Sequence, residues 1–266
     1  MLFMGPQLFF GCCMLIGHWW WRVGQRSESF SPFWKASREQ FFCFLCICYA
    51  IFHMLPSFFD YIFAFVDIEQ HFYAVSFLCQ LFLLLFLCRT VRRNAFSFAD
   101  GLQIYMKPME RVLRSCGAYL RGVPILFVVS AIWMFFLVLL DNCGMPISFG
   151  VQGLLADLED ASPIFIIESV FIASVVAPIS EELLFRGALY RYGKMHLSAV
   201  SSALITSFLF ALLHWNLCAF LPLFVLSLLL TRTYERTGNI APCIGFHALF
   251  NFNNIALTLL TFKYFP

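Results

Sequence analysis

Charge is what this chain has least of. Only 12% of its 266 residues are Asp, Glu, Lys or Arg, about half the share usual in a soluble globular domain. That scarcity excludes a soluble domain, and it leaves no basic stripe of the kind that binds nucleic acid. Two hydrolase signatures are missing as well: there is no HExxH zinc helix and no GxSxG nucleophile elbow, and Ser180 stands in no glycine-rich frame that would favour it as a nucleophile. The 11 cysteines form no paired CxxC sets punctuated by His. Cys12, Cys13, Cys43, Cys46 and Cys48 fall within apolar runs and read as small filler between helices. No Lys or Arg occurs among residues 1–15, so the basic start of a secretory signal is lacking and the first apolar segment is expected to be retained. No internal repeat is visible, which counts against the inverted-repeat design of many transporters.

What is present is apolar surface. The chain is 61% hydrophobic and 19% aromatic, with 35 Phe and a mean hydropathy of +0.82. Apolar runs near the length needed to span a bilayer occur at residues 2–21, 41–59, 71–88, 123–140, 164–186, 198–214, 217–231 and 241–260. The expected fold is an all-α polytopic membrane bundle of about eight transmembrane helices, with residues 1–266 forming a single integral membrane domain in the lipid bilayer. Arg22, Arg26, Lys35 and Arg38 follow the first run, and Arg89, Arg92, Arg93, Lys107, Arg111, Arg114 and Arg121 follow the third, whereas residues 60–70 and 141–163 carry acids and no Lys or Arg. The positive-inside rule then makes the basic loops cytoplasmic and both ends of the chain external. Between residues 89 and 121, Leu102, Tyr105, Met106, Met109, Val112 and Leu113 recur at helical spacing among cations, as in an amphipathic helix lying at the cytoplasmic interface.

Against this background the stretch from Pro178 to Gly187 stands out, because Glu181, Glu182 and Arg186 fall within six consecutive residues inside an apolar run. Ionisable groups within a membrane segment are costly and mark functional sites. The helix from Pro163 is expected to reach about Tyr192, which puts Glu181 roughly 15 Å from its cytoplasmic end. Glu182 and Arg186 are four apart in the favoured order for a helical ion pair. Glu181 lies about 100° further round the helix and needs another partner. Candidates are His214 at the end of the sixth run, and His247 with Asn251, four apart on one face of the eighth. Asn254 lies seven residues from His247 and is left out of the set. Counted from the cytoplasmic ends, His214 is about 24 Å along its helix and His247 only about 9 Å along its own. Convergence therefore requires a tilted or broken sixth helix, or a start later than Ser198. Once converged, Glu181 and His214 can hold a water that loses its proton to Glu181. His247 and Asn251 can then stabilise the oxyanion of an attacked amide.

These residues carry a family resemblance. Glu181-Glu182-Leu-Leu-Phe-Arg186, Phe210-Ala-Leu-Leu-His214 and His247-Ala-Leu-Phe-Asn251 resemble the three ordered motifs of the CPBP or Abi family of intramembrane proteases, which is similar to the type II CAAX prenyl endopeptidases. The resemblance covers about residues 164–260 as a catalytic core. It implies Glu181 as water-activating base, His214 as its partner, His247 and Asn251 as oxyanion donors, and Glu182 with Arg186 in support. It also implies a peptide or membrane-anchored protein substrate, prenylated or not, and a bacterial cell (inner) membrane setting. No cofactor is required, although Glu181, His214 and His247 are also a donor set for zinc. An inactive immunity or scaffold protein of the same fold is the alternative, and an ion or solute transporter a more distant one.

Overall fold

The computed structural model describes Gln7, Gly11 and residues 37–66, 72–94, 106–147 and 163–264. Helices α1 (Arg38–Tyr49) and α2 (Leu55–Val66) are joined by a π-helical turn, Ala50–Met54. There follow α3 (Phe72–Asn94), α4 (Pro108–Asn142), the long composite α5 (Pro163–His196), α6 (Ala199–Leu212), α7 (Leu217–Thr237) and α8 (Ala241–Tyr264). No extended strand occurs among the described residues. The runs Arg38–Phe59, Pro108–Asn142, Pro163–His196, Leu217–Thr237 and Ala241–Thr261 are long and apolar enough to cross a membrane, and the shorter apolar helices Leu78–Thr90 and Ala199–Leu212 accompany them. The chain is an all-α integral membrane bundle. The expected first span, residues 2–21, lies outside the described residues except at Gln7 and Gly11.

Local chemistry sets the helix limits. Ser37 and Gln40 form a reciprocal capping box at the start of α1. Pro108 opens α4 at a position where its missing N–H costs nothing. Asn216 caps α7 by accepting from the Ala219 N–H, and Gly238 ends that helix in the left-handed region at φ 58°. Of the stretch 89–121 expected to form an interfacial helix, residues 95–105, with Leu102 and Tyr105, lie outside the described residues. Residues 89–94 complete α3, and from Pro108 the chain runs unbroken through the fourth span. The first turns of α4 nevertheless expose Met109, Val112 and Leu113 beside the exposed pair Arg114 and Glu110, a mixture suited to the interface.

Helix α5 is the centre of the described bundle, with α3 along one side and α6, α7 and α8 along others. Its course is α-helical to Phe171, π-helical over Ile172–Val176, α-helical over Ala177–Glu182, π-helical over Leu183–Tyr190 and α-helical again to His196. Such π turns gather at functional sites; the first precedes Glu181 and Glu182, and the second follows them and holds Arg186. Helix α8 lies close along α4, where a Cβ on Gly122 would run into the Phe246 ring and one on Gly245 into Ser115.

The depth mismatch between His214 and His247 is resolved at α8, not by a break in α6. Helix α6 runs continuously from its Ser198 cap, and Leu197 before it is exposed. Asn239 and Ile240, which precede α8, are buried inside the protein. Because α8 starts at an interior turn, a residue two turns into it meets α6 near that helix's far end. The Phe210 and His247 rings indeed touch edge to face, with centroids 5.7 Å apart.

Candidate active site

The charged stretch of α5 turns inward. Arg186 donates from Nη1 to Glu182 Oε1 at 2.8 Å, and both side chains are 0% exposed. Its Nη2 donates to the Ser227 carbonyl at 2.8 Å and to Ser227 Oγ at 2.7 Å, tying α5 to α7. The guanidinium also lies 5.2 Å from the centre of the Phe210 ring. A buried ion pair repays its desolvation only with such additional bonds.

Glu181 and Glu182 share one partner, His247. They address opposite nitrogens of one imidazole: His247 Nδ1 is 2.9 Å from Glu182 Oε1, and Nε2 is 3.8 Å from Glu181 Oε2. A carboxylate already bonded to a guanidinium only accepts, so the proton on that side of the ring belongs to Nδ1. Glu181 Oε2 itself has no hydrogen-bond partner in the protein.

His214 is oriented by the fraying of α6. The last turns tighten, with His214 N–H donating to Ala211 O and Trp215 N–H to Leu212 O, and Trp215 closes the helix at φ 49°. The Phe210 carbonyl thereby loses its usual backbone donor and accepts instead from His214 Nδ1 at 2.7 Å. Since a carbonyl only accepts, Nδ1 carries the proton and Nε2 presents a lone pair.

Asn251 is held in a similar way. Ala177 N–H bonds to Ile172 O in the π register. The next donor in that register, for Ala173 O, would come from residue 178, a proline with no N–H. Asn251 Nδ2 donates to this carbonyl at 2.8 Å, which leaves its second N–H unspent.

All four residues expected to perform chemistry, Glu181, His214, His247 and Asn251, line one cavity of about 170 Å³. Ala173, Ala177, Leu223, Phe250 and Ile255 supply its apolar walls. Its volume exceeds what one water needs and is small for a large ligand, which suits a water and a short length of peptide. Asn254, left out on sequence grounds, also lines it. Seven residues is nearly two full turns, so the spacing to His247 already carried that signal. Nothing in the sequence marked Ser227, Phe210 or the Ala173 carbonyl. Among the described residues no three His, Cys, Asp or Glu side chains are grouped to hold a metal ion.

Comparison with known proteins gives a family likeness for part of the chain. Residues 163–253 match the sequence profile of Rce1-like type II CAAX prenyl endopeptidases, so this part of the chain is similar to that family. The chain is also 36% identical over 100 residues to UPF0177 protein YxdF of Lactococcus lactis, an alignment covering 36% of this chain and 55% of the relative. The chain thus spans about half the length of that curated relative. No solved structure matches it.

Proposed function

We propose that this protein is an intramembrane endopeptidase in which Glu181 activates water without a metal. The observation that carries the proposal is the convergence of Glu181, His214, His247 and Asn251 on one cavity, where Glu181 Oε2 makes no hydrogen bond within the protein. A water donating one hydrogen to Glu181 and the other to His214 Nε2 presents its lone pair to a peptide carbonyl. As the oxygen bonds to the carbonyl carbon, its proton passes to Glu181. The resulting oxyanion accepts from the free N–H of Asn251 and from His247 Nε2–H. That second donor requires His247 as an imidazolium, because Nδ1–H is already given to Glu182. With His247 charged, Glu181 and Glu182 are balanced by Arg186 and His247, the arrangement that costs a buried cluster least. Collapse of the intermediate breaks the C–N bond, and the proton held by Glu181 goes to the leaving amine.

The substrate is a peptide or membrane-anchored protein reaching the site from the bilayer. The profile match supports a prenylated C-terminal peptide as the first to try, and the lactococcal relative supports a bacterial cell membrane as the setting. The test uses the full chain in lipid nanodiscs, a farnesylated CAAX-type peptide and its unmodified counterpart, with products read by mass spectrometry. Cleavage of either peptide that persists after a strong chelator is the expected result. Activity lost to the chelator and restored by zinc would contradict the metal-free mechanism.

A further inference from the structure

Three asparagines follow His247 on α8, and two of them are committed to the protein. Asn251 Nδ2 donates to Ala173 O, and Asn253 Oδ1 accepts from Gln7 Nε2 at 2.8 Å. The third, Asn254, lines the cavity beside Asn251, and outside the helical ladder the bond it makes is through its backbone carbonyl, which accepts from Thr258 Oγ1. Among the described residues its side-chain amide makes no hydrogen bond. A half-buried amide that leaves both donor and acceptor capacity unspent forgoes stabilisation that a native site normally takes up.

Along α8, Asn251 lies about 6 Å beyond His247, and Asn254 about 4.5 Å beyond Asn251. If the scissile carbonyl sits between His247 and Asn251, Asn254 stands about 7.5 Å further on, away from the α7–α8 turn. An extended chain advances about 3.3 Å per residue, so this distance corresponds to two residues. A carboxamide, with a carbonyl and an NH2, is complementary to a peptide group. The neighbouring wall of Leu223, Phe250 and Ile255 offers no polar group to read a side chain.

We propose that Asn254 is a main-chain-binding residue that holds the substrate's peptide group two residues from the scissile bond. This subsite recognises backbone rather than side-chain identity, and it rests on the peptidase reading above. Asn254→Ala is expected to raise KM roughly threefold to tenfold while leaving kcat and the thermal midpoint unchanged, because no protein partner is lost. An ester replacing the amide two residues from the cleavage site removes its N–H and weakens its carbonyl. That ester should raise KM for the wild-type protein and add nothing further in Asn254→Ala. Either an unchanged KM in Asn254→Ala or an ester effect that adds in full overturns the inference. Glu181→Gln, run alongside with the farnesylated and unmodified peptides, separates the two levels. If it cleaves like wild type, or if wild type cleaves neither peptide, the peptidase reading falls and the subsite with it. If it is inactive while Asn254→Ala is indistinguishable from wild type, only the subsite falls.

Discussion

Helix α5 carries two buried polar clusters one after the other, and only one of them borders empty space. Towards its C-terminal end, Arg191 donates to Tyr234 OH at 3.3 Å, and Lys194 donates to Glu235 Oε1 at 2.7 Å while lying 5.7 Å from the Tyr190 ring centre. These groups turn on one another across the α5–α7 contact, and none of them lines the cavity. One to two turns earlier, Arg186 fastens the same two helices through Ser227. Here, however, Glu181, His214 and Asn254 line a cavity, and Glu181 Oε2 makes no hydrogen bond within the protein. Burial and charge are common to both clusters. What separates a site from a fastening is unspent hydrogen-bonding capacity next to space that a substrate can fill.

That comparison can be broken by mutation. The largest effect on folding is expected from Glu182→Ala, which strands the fully buried Arg186 and costs about 3–5 kcal/mol. The double substitution Glu182→Met with Arg186→Met should restore most of that stability yet stay inactive, because His247 Nδ1 has lost its acceptor. Thermal melts beside turnover assays check this, and an active double variant would show that Glu182 acts only as a fastening. Asn251→Ala is expected to lower kcat by about 10²–10³ through loss of an oxyanion donor, with about 1 kcal/mol of stability lost from the Ala173 bond. Equal activity in the two proteins would remove Asn251 from the chemistry. Lys194→Ala should do least to turnover, with about 1–3 kcal/mol lost in stability from the largely buried Glu235 it leaves unpaired and activity within about twofold of wild type. A large fall in kcat there would erase the distinction between the clusters.

Much of the site was legible because its signals are local. The Glu182 to Arg186 pair and the His247 to Asn251 face follow from four-residue spacing, and both hold even though the first spans a π-helical turn. Two features escaped because they arise between helices. The sharing of His247 by both carboxylates depends on how far α8 reaches in, and that depends on a buried turn at Asn239 and Ile240. Treating every span as starting at the membrane surface hid this. The bond from Asn251 to Ala173 depends on Pro178 disabling a donor in a π register, and the register cannot be read from residue types. Asn254 was within reach of the same helical count that found Asn251, and only its lack of a role kept it out.

The most direct measurement is kcat of Glu181→Gln beside its thermal midpoint in the same nanodiscs. The substitution preserves size and removes the base, so kcat should fall by about 10²–10⁴ with the midpoint unchanged. Cleavage within tenfold of wild type, or a loss of stability like that of Glu182→Ala, would contradict the assignment of Glu181 as the group that activates water.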